Sequence, residues 1–93
     1  MINFEWDEEK NQKNILKHKI SFEYAIEIFS SNYLNIPDTR KNYGEIRMQS
    51  IGKTKNDDLI LLVVNTTREH NIRIISARRA SKKEREIYYK TIG

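Results

Sequence analysis

The spacing of apolar residues changes along this chain, and each change predicts an element. Asn3 to Trp6 reads as a short strand. Asp7 follows as an N-cap, with Glu8 and Glu9 in the first turn, where the helix dipole favours anions. The helix is expected to run to about His18. Its apolar content is only Ile15 and Leu16, and Asn11, Asn14, Ile15 and His18 fall on one face. An inward stripe that polar is unfavourable unless its groups are hydrogen-bonded. Ser21 is placed to cap a second helix, with Phe22, Ala25, Ile26 and Phe29 as its apolar stripe.

From there the pattern is that of strands. Tyr33 to Ile36 is expected to be extended and is stopped by Pro37. Asp38 to Gly44 reads as a loop, Glu45 to Ile51 as a strand and Gly52 to Asp58 as a polar hairpin turn. Leu59 to Thr66 is a nearly continuous apolar run, the mark of a central strand buried on both faces. Thr67 to Asn71 turns the chain and Ile72 to Arg78 returns it. Ser81-Lys82-Lys83-Glu84 is a capping box for a last helix to about Lys90, with Ile87 and Tyr88 available for packing. The order β-α-α-β-β-β-β-α, with strands joined by short turns, predicts an α+β two-layer domain. An antiparallel sheet would be covered by helices on one face. The whole span 1–93 is expected to be one domain.

Composition narrows the classes. There is no cysteine, so neither a disulfide framework nor a Cys-based zinc site is available, and a reducing cytoplasm is permitted. Met1 to Glu9 is acidic and does not resemble a signal peptide, and the longest apolar run is too short to span a bilayer. The net charge of +4 is unevenly spread: −3 over residues 1–38, +2 over 39–67 and +5 over 68–93. A basic C-terminal third beside an acidic N-terminal third is consistent with one polyanion-facing surface, and equally with a solvated basic helix.

The side chains able to do chemistry are few. The histidines, His18 and His70, are expected on different elements, and no acidic cluster has metal-ligand spacing, so neither metal nor cofactor is expected. Three glycines exclude a Gly-rich phosphate loop. Cations and proton carriers remain. Arg78 and Arg79 close a strand, where alternation lets at most one of them share the side of Ile74 and Ser76. A guanidinium fixed there matches phosphate oxygens in bidentate fashion, although a pair of surface arginines would look the same. Arg47, Arg68 and Arg78, on neighbouring strands, could converge on one sheet surface, or each could simply be exposed. His18 is the better acid/base candidate, or else a helix-C-terminal histidine favoured by the dipole. Lys17 adds charge beside it or is merely solvated. Arg40 and Lys41 share the loop with Tyr43; Tyr43, Tyr88 and Tyr89 could stack on bases, Tyr88 being the one better suited to the core. Arginine cannot accept a proton, so in a ribonuclease the arginines would neutralise the scissile phosphate. His18, or less favourably Glu5, Asp7 or Glu84, would then assist the 2′-hydroxyl.

Phe4-Glu5-Trp6-Asp7, Lys10, Asn14, Lys17-His18 and Phe22 open a longer pattern. It continues through Arg47, Ile51-Gly52 and Arg68 to Arg73-Ile74-Ile75-Ser76-Ala77-Arg78-Arg79-Ala80, Glu84 and Tyr88. In this order and at this length the chain resembles the BrnT family of bacterial toxins over nearly its whole extent. The resemblance implies a RelE-like fold and a type II toxin that cleaves RNA without metal and shuts down translation. It implies a BrnA-type antitoxin as partner, contact with DNA only through that antitoxin, no membrane association and a higher-order toxin–antitoxin assembly in the cytoplasm. The family's shared positions fall on Trp6, Asp7, Lys17, His18, Arg47, Arg68, Arg78 and Arg79. On this reading His18, Lys17, Arg47, Arg68 and Arg78 are the catalytic candidates, and Arg79, Arg40, Tyr43 and Lys82 the RNA-binding ones. The alternative is a non-catalytic module that binds nucleic acid or an antitoxin. Two positions depart from the family. Lys19 stands where glycine is usual, which argues against a tight left-handed helix end, and Val64 to Arg68 lacks a common tyrosine.

Overall fold

The structure, a computed structural model, describes residues 2–93. Along it run β1 (Asn3–Glu5), α1 (Glu8–His18), α2 (Phe22–Ala25), a 3₁₀ turn (Ile26–Ser30) and β2 (Leu34–Pro37). They are followed by β3 (Met48–Lys53), β4 (Ile60–Arg68), β5 (Asn71–Arg79) and α3 (Lys82–Thr91). The expected α+β class and element order stand. Met1, where the expected domain begins, lies outside the described residues.

β4 is the axis of the sheet, whose order is β1-β5-β4-β3-β2. Every residue from Ile60 to Thr66 is buried, as the apolar run requires. β2 to β5 form an antiparallel meander, while β1 adds to the edge of β5 in parallel. Alternation along β4 sends its side chains into two cores. Leu61 and Val63 pack with Phe22, Ala25, Ile28, Ile74 and Ala77. Ile60, Leu62 and Val64 pack with Ile51, Ala80 and Tyr88. The helices therefore do not all lie on one face as the sequence suggested: α1, α2 and the 3₁₀ turn cover one side, and α3 covers part of the other.

Several boundaries differ from the sequence expectation for identifiable reasons. The second helix gives way to a 3₁₀ turn after Ala25, and its buried residues are Phe22, Ala25 and Ile28. A spacing of three residues suits the tighter helix. Where the 3₁₀ turn crosses β3, a Cβ on Gly52 would stand 2.8 Å from that of Ile28, so only glycine allows the approach. β3 begins at Met48, leaving Arg47 in the loop before it. The last hairpin is tighter than expected, with Glu69 and His70 both at positive φ. Between Val64 and Asn65 the β4–β5 register slips by one, so Ser76 opposes Val64 while Ile74 opposes Asn65. This bulge puts Ile74 and Ser76 on opposite faces, contrary to simple alternation. Lys19 does adopt the left-handed conformation, at φ 61°. Its amide donates to the Ile15 carbonyl (2.9 Å) and its ammonium to that of Leu16 (3.2 Å), which offsets the strain.

The two buried asparagines of the α1 stripe are fully bonded. Asn11 Oδ1 accepts from the Phe22 amide at 2.8 Å, while its Nδ2 donates to Glu8 and Glu23. Asn14 Nδ2 donates to the carbonyls of Ile20 (2.8 Å) and Ala77 (2.9 Å), and its Oδ1 accepts from the Ala77 amide (3.2 Å). β1 pairs only as far as Arg73. Beyond it, the amide of Asn14 substitutes for a strand at Ala77. Replacing Asn14 with alanine orphans these buried backbone groups and is expected to destabilise the protein by about 2–4 kcal/mol. Urea denaturation measures this; a loss under about 0.5 kcal/mol would mean that water replaces the amide without penalty.

Candidate nucleic-acid interface

Asp7 accepts from the amides of Glu9 (2.8 Å) and Lys10 (3.3 Å), and the Trp6 ring meets Phe22 edge-on. Both residues thus fix the start of α1. At its other end Asn14 ties the helix to β5, and His18 follows one turn later. His18 is half-buried; partial burial lowers its pKa, and the positive charges of Lys17 and Arg78 add to the effect. The imidazole is therefore neutral at physiological pH and able to accept a proton. Lys17 is exposed beside it.

Arg78 lies on the α3 side of the sheet, opposite Leu62, and Arg79 points to the other side, opposite Leu61. The pair splays as alternation predicts. Arg78 is held end-on by Glu84, Nη1 to Oε1 at 2.8 Å and Nη2 to Oε2 at 2.9 Å. Glu84 Oε1 also accepts from the Ser81 amide, and the Ser81 hydroxyl accepts from the Glu84 amide, closing the capping box. Nη1 of Arg78 donates again to the Arg79 carbonyl at 3.1 Å. Of its N–H groups, the Nε–H and one Nη2–H remain, and these form the side-on fork that suits a phosphate. Glu84 is therefore both cap and clamp. Bonding to Arg78 pulls its pKa down to about 2, with the Ser81 contacts contributing.

Arg40, Lys41, Tyr43 and Arg47 cluster in the loop between β2 and β3. Asp38 accepts from Arg40 Nε and Nη2, each at 2.8 Å, and from the Tyr43 hydroxyl at 3.2 Å. Its own amide donates to the Arg47 carbonyl at 2.8 Å. The Arg47 guanidinium lies 4.1 Å from the centre of the Tyr43 ring and donates to Glu45 at 2.9 Å; the Lys41 ammonium is 5.2 Å from the same ring. Arg40 is close enough for its charge to oppose that of Arg78. A cleft of about 510 Å³ opens beside this loop, lined by Asp38, Lys41, Tyr43, Ile46 and Arg47 among others.

Arg68 shares the face of Arg78 but stands six residues farther along β4, about 20 Å away, next to Glu5 and lining a cleft with Glu45, Ile46 and Thr66 at the β2–β3 loop. The arginines thus line a track and do not converge on a point. Arg79 is on the opposite face, Lys82 opens α3 exposed to solvent, and Tyr88 is a core residue. Among the described residues no group of three or more His, Cys, Asp or Glu side chains could hold a metal ion, and no helix is long and apolar enough to cross a membrane. Sequence reading passed over Asp38; its only local signal was an Asp two residues before an Arg, directly after Pro37, the start of an Asx turn.

A family model described as the ribonuclease toxin BrnT of type II toxin–antitoxin systems matches residues 6–84. The chain belongs to this family. The fold agrees: the 1.1 Å crystal structure of the Brucella abortus ribonuclease toxin BrnT superimposes with a TM-score of 0.63 at 26% identity, over 88% of this chain and 100% of that one. No curated protein matches the chain significantly. In this BrnT-family toxin the Arg78 guanidinium lies on the α3 face of the sheet. The clamp at Arg78 has a measurable acid limit. Glu84 is held at about 2, below its ordinary 4.5, so the clamp contributes fully above about pH 4.5 and is lost as pH falls towards 2. Glu84→Gln is expected to cost about 1–3 kcal/mol at pH 7 and progressively less in acid. Urea denaturation from pH 7 to pH 2.5 tests it; a constant difference would show that the charge is not what matters.

Proposed function

We propose that this toxin is a metal-independent endoribonuclease that inhibits translation in the cytoplasm. Its partner on this reading is an antitoxin of the BrnA type, which masks the cationic track in a higher-order complex and alone contacts DNA. What supports the proposal is a half-buried imidazole within the electrostatic reach of an arginine whose side-on fork is uncommitted. His18 takes the proton of the 2′-hydroxyl. Arg78 faces the scissile phosphate and stabilises the charge that develops on it. Lys17, Arg68 and the loop group of Arg40, Tyr43 and Arg47 hold flanking phosphates, with Lys82 contributing at the margin of the RNA path.

Cleavage of an oligoribonucleotide in EDTA is the test. The wild type should cleave, and His18→Ala should lose at least about a hundredfold in kcat while remaining folded. A requirement for added divalent cations would remove metal independence, and full activity in the variant would move the base elsewhere. The pH dependence has a definite sign. Burial and neighbouring cations lower the His18 pKa beneath 6.5, so the rate should rise with pH through the acid range and level off before neutrality. A profile still rising through pH 8 would exclude His18 as the base.

A further inference from the structure

Asp38 is the one charged residue that is buried among those described, and its side chain is wholly inaccessible. It does not belong to either hydrophobic core. A carboxylate taken out of water needs several compensating bonds. Asp38 has four: both atoms of the Arg40 fork, the Arg40 amide and the Tyr43 hydroxyl. The ion pair holds its pKa well below the carboxylate range, so the charge persists in ordinary buffers. Everything it organises lies in the loop between β2 and β3, and the sheet would close without it. Arg40 itself is largely exposed, so the bonds orient a cation at the surface. Through Tyr43 they also set the ring on which Arg47 stacks.

We infer that Asp38 is a positioning residue that locks the loop carrying Arg40, Tyr43 and Arg47 into a preformed clamp for the RNA strand. This rests on the ribonuclease reading above. The clamp makes a prediction opposite in sign to simple electrostatics. Removing a carboxylate raises the positive charge of the surface and by itself tightens RNA binding. If Asp38 orients the loop, its loss weakens binding despite that gain, because the cations must then be ordered by the substrate.

The experiment compares wild type, Asp38→Asn, Arg40→Lys and Asp58→Asn, each checked by thermal melting. Asp58 is exposed in the turn between β3 and β4, so its variant makes the same charge change far from the loop. Binding is read with a 2′-O-methyl oligonucleotide, which lacks the attacking hydroxyl, and KM and kcat with the unmodified RNA. Asp38→Asn is expected to raise KM and Kd about tenfold with kcat within about threefold. Arg40→Lys keeps the charge but breaks the fork, and should move KM the same way if Asp38→Asn proves unfolded. Asp58→Asn should stay within about twofold of wild type. Binding by Asp38→Asn as tight as wild type or tighter overturns the clamp alone. A wild type that neither binds nor cleaves RNA overturns the ribonuclease reading, and the clamp with it.

Discussion

The amide of one asparagine decides how this domain is put together. β5 has β4 on one side, but on the other β1 covers only Asn71 to Arg73. At Ala77 the strand edge is open, and Asn14 closes it with one donor and one acceptor, as a neighbouring strand would. The same amide holds the Ile20 carbonyl, so the chain leaving α1 is fixed by the residue that docks α1. A small domain is stable by only about 5–15 kcal/mol, so one side chain that satisfies three buried backbone groups is a large share of the total. The bond also reaches into function. With Asn14 pinned to Ala77, His18 lies one turn on along α1 and Arg78 one residue on along β5, so the imidazole and the guanidinium whose charge acts on it share a single anchor.

A second constraint operates on the other side of the sheet. The bulge at Ile75 and Ser76 lets Ile74 and Ala77 both face the α1 core while Arg78 turns towards α3. Without the extra residue, Ile74 and Ala77 would fall on opposite faces. A bulge in the middle of the strand thus reconciles a continuous hydrophobic core with an arginine delivered to the opposite surface. Glu84 then receives that arginine, and because the same carboxylate caps α3, the orientation of the helix and of the guanidinium are set together.

Much of this was legible in the residues. The doubly buried strand, the caps at Asp7, Ser21 and Ser81 and the polar inner stripe of α1 follow from local chemistry, and each has its expected partner. The splay of Arg78 and Arg79 follows from alternation. What could not be read depends on distant partners. The bulge is a property of the β4–β5 pairing, not of either strand. The parallel edge strand is specified by three residues. The helices were expected on one face because the sequence does not say which core Tyr88 will join. Lys19 could not be foreseen in a left-handed conformation, since the carbonyls it satisfies belong to the helix end it creates. Asp38 looked like an ordinary loop residue, because nothing local announces that its carboxylate will be sealed from water by residues two and five positions ahead.

The arginines of the sheet and of the β2–β3 loop fall into two kinds, and the difference has a physical use. Arg40, Arg47, Arg73 and Arg78 each have a carboxylate partner, while Arg68 and Arg79 have none among the described residues. Pairing weakens the long-range attraction of a cation for a polyanion but removes the entropy of placing it. Unpaired arginines do the reverse: they draw in RNA from a distance and adapt to it. A surface made only of free arginines would bind RNA with little preference for where the phosphates lie. One made only of paired arginines would have almost no net field. On the α3 face Arg78 is paired and its charge reaches His18, while Arg68, unpaired, stands about 20 Å farther along β4. On the proposed reading, attraction is thereby assigned to the far end of the track, and fixed geometry to the neighbourhood of His18.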